Sequence, residues 1–399
     1  DLIQAQLNAG TSVTLNTAGA GSQAGNIVVN APIVKTSNNA ASLTLIAHND
    51  ITVNQNITLS NNELVNGTTS GVNAGFSATA GGVFGIHGAT VEAWNIQVNA
   101  ASIVRSGAQA NDFVFGFIFP SAGTLGLTTQ SGAVGSLAEP VRFASPDHAG
   151  RTWSVNTVAA GAAGDIFLQP TRASYGTFGG TAIQTDPATS QTVYLNHSGA
   201  NEGFSLMGDI SGNDHWTFIT AGNLGTCSFG GCSSGGFMLT ANSITVTAAG
   251  AISTAGSFAT NATFNTSAVN GPIVLTAGAF DGTGCGGINF GVGVRPGTGT
   301  VSATSTGIPS CGGAIQLAHW GGDLLTSRYQ LDFSGVNTGA DNLIRLKAMD
   351  GHLILDSTAG MGASTQDKNW ELSTVAANRD IVFSGGTIAS VMKTWLNVE

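Results

Sequence analysis

The chain has 399 residues, and only 9% of them are charged, with 12 Lys or Arg against 22 Asp or Glu for a formal net charge of −10. Ordinary soluble domains carry roughly 25% charged residues; with so little charge and no basic stripe, a duplex or phosphate-rich partner is ruled out as the expectation. No run approaches the roughly 18 apolar residues that a membrane-spanning helix needs, yet 42% of the residues are apolar, and they fall in short alternating runs that disordered chains lack.

In chain order, the first strand signal is LNAGTSVTLNT at 7–17, with Val13 and Leu15 facing inward. GNIVVNAPI follows at 25–33. The stretch 42–59, SLTLIAHNDITVNQNITL, is the clearest. Leu43 and Leu45, Ile51 and Val53, and Ile57 and Leu59 are each spaced by two, the period of a strand. His48, Asn49 and Asp50, then Asn54, Gln55 and Asn56, separate the pairs with residues that favour turns. The spacing predicts strand, turn, strand, turn, strand in about twenty residues. Residues 61–90 read as a ragged insertion anchored by Phe76, Val83, Phe84 and Ile86. WNIQVNAASI at 94–103 restores the pattern. FVFGFIFP at 113–120 reads as a strand buried on both faces, with an exposed apolar binding patch as the rival reading.

GTLGLTTQSGAV at 123–134 is another strand. Residues 140–205 hold the most polar insertions, with GDIFLQP at 164–170 inside them. NSITVTAAGAIS at 242–253 and GPIVLTAGAF at 271–280 are regular. Residues 281–312 are Gly-rich with few strands, and GAIQLAHWGGDL at 313–324 and RDIVFSGGTI at 379–388 complete the series. No helix-period segment of ten or more residues stands out.

One phrase thus recurs: Gly, Asn or Asp, then apolar-x-apolar, a short turn, and another apolar residue. A unit repeated along a whole chain marks a repeat architecture, in which stacked coils share a core that no single coil can close. The fold class expected is all-β, a parallel β-helix (β-solenoid) with about twenty residues per coil. It should run over 1–399 as a single continuous solenoid, with irregular insertions near 61–90, 140–205 and 281–312. Ile27, Val29, Leu43, Leu45, Ile51, Val53, Ile244, Val246, Ile273 and Leu275 should face the core. Neither end reads as a polar cap, so like subunits could meet end to end in a filament.

GNIVVNAPI, SLTLIAHNDITVNQNI, LNAGTSVTLNTAGAGSQAGNIVVNAPI and ANSITVTAAGAIST resemble the interior of filamentous-haemagglutinin-like exoproteins, the large secreted partners of two-partner secretion in Gram-negative bacteria. The likeness is strong over 1–60, good over 240–280 and compositional elsewhere. It implies a right-handed β-helix, passage through an outer-membrane transporter, and a secreted or cell-surface adhesin that meets a host-cell or matrix glycan or protein. The family's NPNG-type motif is missing, which points to an interior section.

Sites are sparse. Specific contacts draw on aromatic and Arg anchors, and these gather in 140–180: Arg142, Phe143, Arg151, Trp153, Arg172, Tyr175 and Phe178, which either pack the loop down on the rod or form a projecting binding surface. The four cysteines, Cys227, Cys232, Cys285 and Cys311, are disulfide candidates; a four-thiolate zinc site and free thiols are the rival readings. Asp147, His148 and Arg151, and Asp209, Asp214, His215 and Trp216, form loose clusters. A carbohydrate-active β-helix would need acids in register on successive coils beside a Lys or Arg. None is visible, so no catalytic residue, cofactor or metal is expected. The Thr-x-Thr ladders that suit ice binding do not recur at the expected coil spacing, since SITVTAAG and SLTLIAHN supply isolated threonines.

Overall fold

The computed structural model describes residues 2–19, 25–59, 74–116, 123–144, 152–172, 176–179, 182–197, 204–207, 209–225, 238–253, 263–278, 287–306, 314–333, 343–356, 369–385 and 393–398. These residues are mostly strand with almost no helix, and the parallel sheets stack as a β-solenoid. Every strand pairing between described residues is parallel, as in Val13↔Leu43, Ile51↔Phe84 and Ile244↔Ile273. The residues cluster into two compact units, Asp1–Ser174 with Thr181–Asn196, and Tyr175–Gly180 with His197–Glu399.

In the first unit a coil has three strands. The stretch 42–59 is one coil, with strands Leu43–Ala47, Ile51–Val53 and Ile57–Thr58. Its apolar pairs point inward and are fully buried, while Thr44, Thr52 and Thr58 inside the pairs stay half-exposed and His48, Asn49, Gln55 and Asn56 in the turns are exposed. Each inward position stacks on its equivalent one coil away. Leu43, Phe76, Ile96 and Leu125 make one such column, and Ile57, Val91, Phe113 and Phe143 another. Phe84 and Phe113 stack with ring centroids 6.1 Å apart. In the second unit Trp216, Ile244, Ile273, Val301 and Tyr329 form the same kind of column. All ten expected core residues are buried, the most exposed being Ile27 at 7%. Burying a Leu or Ile contributes roughly 1.5–3 kcal/mol, and the columns repeat that gain coil after coil.

Several expectations are corrected. The coil does not keep one length near twenty throughout. In the first unit His87 and Ser106, paired across adjacent coils, are 19 residues apart, but Ser42 and Gly75 are 33 residues apart. In the second unit His215 and Ser243, and likewise Asn270 and Thr298, are 28 residues apart. Residues 74–90 are regular, with strands Gly75–Ala80 and Val83–His87. The described part of 281–312 holds the strands Gly287–Arg295 and Val301–Ser305. Val13 and Leu15 are half-buried rather than buried.

One helix is present among the described residues, Leu2–Asn8, with Leu7 fully buried. It lies along the edge of the first coil's third strand, Ile33–Val34. The amides of Ile33 and Lys35 donate to the next coil, so that of Val34 points off the stack. There it meets Gln4 Oε1 at 3.0 Å, and Asn8 Oδ1 accepts from the amides of Thr36 and Ser37 at 2.8 Å each. A strand edge left bare invites pairing with other chains, and the expectation of an end without a polar cap is corrected here for this strand.

Candidate binding surface

The described anchors of those predicted in 140–180 lie in strands rather than on a projecting loop. Arg142 and Phe143 lie in the strand Val141–Ala144, and Trp153 in the strand Thr152–Thr157. Phe143 is 2% exposed and its ring sits 5.2 Å from that of Trp153, so it belongs to the core column and cannot reach a partner. Arg142 is spent inside the chain: Nε donates to Gln169 Oε1 at 3.1 Å and Nη1 to the Gln109 carbonyl at 2.8 Å. Arg172 and Phe178 are in the strands Ile166–Arg172 and Gly176–Gly179. Arg151, Tyr175, Asp147 and His148 lie outside the described residues, as do all four cysteines and residues 117–120 of the hydrophobic octet.

Arg142 belongs to a buried ionic corner that sequence reasoning missed. Arg105 Nε donates to Asp112 Oδ1 at 3.1 Å, and both side chains are fully buried. Arg105 also binds Glu139 and donates to the Gly107 carbonyl at 2.6 Å. Asp112 accepts further from Gln109 Nε2 at 2.5 Å and from the Arg142 amide at 2.7 Å. Burial pushes the Asp112 carboxyl above its ordinary range, against the Arg142 amide and the Arg105 charge, which pull it down. A fully buried carboxylate meets no substrate, so the corner staples successive coils. Its signal in the sequence was the separation of Asp112 from Arg142, which is one coil.

The second polar cluster also divides. His215 is exposed, with Nδ1 2.8 Å from Ser243 Oγ on the next coil. Trp216 and Asp214 are buried, and Asp209 accepts from the Met238 amide at 2.9 Å. Among the described residues no three His, Cys, Asp or Glu side chains gather as a metal site would require. Across the strands Ala314–His319, Leu343–Ala348 and Asn369–Thr374, Arg345 donates to Gln316 Oε1 and to Glu371 Oε2, both at 2.7 Å. This is a charge ladder closed on itself.

Among the described residues, the outward face of the sheets offers a surface for recognition. In the first unit, six paired strands present two files in register: Thr14, Thr44, Ser77, Gln97, Gly126 and Ser154, and beside them Asn16, Ile46, Thr79, Asn99, Thr128 and Asn156. No member is charged. At ~4.8 Å per strand the face runs roughly 24 Å along the stack. Parts of it are tied internally, as in Thr124 Oγ1 to Asn95 Oδ1 at 3.0 Å and Gln130 Nε2 to Asn99 Oδ1 at 3.2 Å.

In the second unit the strands His215–Thr220, Ser243–Ala248, Ile273–Ala277 and Val301–Ser305 carry a narrower pair of files. Thr217, Thr245, Val274 and Ser302 make one, and Ile219, Thr247, Thr276 and Thr304 the other. Thr-x-Thr itself occurs in only one of these four strands, at Thr245 and Thr247, but the register lines up Thr247, Thr276 and Thr304 in a single file that sequence spacing did not show. The coil here keeps close to the 28 residues that separate His215 from Ser243, and a search at twenty could not align it.

No protein-family model matches the chain, and neither a curated protein nor a solved structure does.

Proposed function

We propose that this chain is a section of a secreted or cell-surface adhesin, a rigid β-solenoid that attaches a cell to a host or matrix glycan or protein through its uncharged outward face. The observation that carries this reading is the first unit's uncharged double file, hydroxyl and amide side chains except at Ile46 and Gly126, held in register over six strands. Such groups offer paired donors and acceptors to sugar hydroxyls or to backbone amides. A stacked sheet holds them in place before a partner arrives, which cuts the ordering cost of binding. The resemblance of 1–60 and 240–280 to filamentous-haemagglutinin-like exoproteins supports the same reading, and with it export through an outer-membrane transporter.

The test is attachment of beads coated with the purified chain to an array of glycans and matrix proteins. Thr44→Lys and Thr79→Lys place cations on the face at outward positions that tolerate them. The expected result is retained folding by circular dichroism with loss of attachment. Attachment of the folded variants at the level of the parent chain would sink the proposal.

A further inference from the structure

The second unit's double file differs from the first unit's face in a way that points to another ligand. Thr245 and Thr247, Val274 and Thr276, and Ser302 and Thr304 occupy three successive coils, in register. Each points outward between fully buried neighbours such as Val246, Leu275 and Ala303. No charge enters until Asp332, opposite Thr304, one coil further on. Among the described residues, the hydroxyls of these Thr and Ser side chains bond to no other group of the chain. The face therefore presents free hydroxyls and methyls on a fixed grid, ~4.8 Å between strands and roughly 6.7 Å between alternate residues along a strand.

We infer that this face binds the surface of ice. The grid lies close to oxygen repeats of the ice lattice, so each hydroxyl can stand where a lattice water would, while the methyls between them order the intervening waters. Thr is β-branched, and its restricted χ1 keeps the grid set before contact. A charged group would hold its own hydration shell against the lattice, and the face has none. A protein partner would draw on aromatic or Arg anchors at the centre of its footprint, and the face has none of these either. The unbroken register across these coils matters here, because an insertion or slip in any one coil would break the match along the stack.

This inference stands apart from the attachment reading, which concerns the other unit. The experiment is uptake of the fluorescently labelled full chain into a single growing ice crystal, with crystal shape recorded at the same time. Variants Thr247→Lys, at an exposed position, and Thr276→Lys are compared with Thr44→Lys on the first unit's face, each confirmed folded by circular dichroism. The expected result is uptake and faceting by the parent chain and by Thr44→Lys, and loss of both with Thr247→Lys and Thr276→Lys. Exclusion of the parent chain from the ice would overturn the inference. So would uptake unaffected by Thr247→Lys and Thr276→Lys, or abolished equally by Thr44→Lys.

Discussion

At the scale of single residues, the Asn and Asp of the turns are latches between coils. Asp50 Oδ1 accepts from the Val83 amide, Asp165 from Thr192, Asn223 from Ala251 and Asn270 from Thr298, each at 2.7 Å and one coil on. These are amides at turns and strand starts, where an unpaired N–H would otherwise be lost from the ladder. This is the physical content of the recurrent Asn or Asp before apolar-x-apolar. Where Gly takes that place, space decides: Gly25 has φ +64, and a Cβ there would meet His48 Cβ at 2.7 Å. Inside the core sits His319, 1% exposed, with Nδ1 2.6 Å from the Tyr329 hydroxyl. Burial lowers its pKa to about 4, with Asp350 and Asp323 opposing and Arg328 adding to the shift. Burial also keeps Tyr329 protonated, so the phenol donates to a neutral imidazole. A folded pKa below the unfolded value of about 6.5 means stability that is complete above pH 6.5 and lost as pH falls toward 4, on the order of 3 kcal/mol. Urea midpoints across that window should fall more steeply for the parent chain than for His319→Gln. Equal slopes would show that the imidazole is not held neutral.

At the scale of elements, the strands were legible because their period is two and their turns carry the right residues. The stretch 42–59 gave all three strands of its coil, and every recurrent phrase named from the sequence falls on a strand. The helix Leu2–Asn8 was not legible. It is seven residues long with one buried side chain, too short for an apolar stripe to show. What fixes it is polar and distant in sequence: Asn8 reaches the amides of Thr36 and Ser37. Asn8→Ala removes acceptors from an edge, and a loss of about 1–2 kcal/mol follows. Hydrogen exchange should quicken at Thr36 and Ser37 and stay unchanged at Val53, deep in the next coil. Uniform protection in the variant would mean that the helix does not hold that edge. The candidate surface was the least legible part, since Arg142 and Phe143 looked like anchors only until their coil partners were known. Arg, Phe and Trp signal contact energy without saying with whom, and here the partners are Gln109, Gln169 and a neighbouring ring.

At the scale of the molecule, a chain with net charge −10 keeps charge out of the double file of the first unit and out of the strands Ser243–Ala248, Ile273–Ala277 and Val301–Ser305. Attachment through such faces should hardly change between low salt and 1 M salt, because only charged contacts are screened over a Debye length of ~3–30 Å in that range. A steep fall of attachment with salt would assign recognition to the acidic turns instead. Composition did announce the neutral faces. Which residues share a face depends on a coil length that differs within the first unit, from the 19 residues between His87 and Ser106 to the 33 residues between Ser42 and Gly75. Strand periodicity alone carries no information on that length.

The steady coil has a consequence for how the chain reaches its native state. A contact that spans 28 residues, as from Asn270 to Thr298, is local in a chain of 399, and closing a short loop costs less entropy than closing a long one. No described strand waits for a partner from the far end of the sequence. A chain delivered from one end can close a coil as soon as the next turn of sequence has emerged, and each finished coil offers its free edge and its turn carboxylates and amides as the template for the next. Among the described strands each partner lies about one turn away, an arrangement that favours rapid folding over the distant pairings of most all-β proteins.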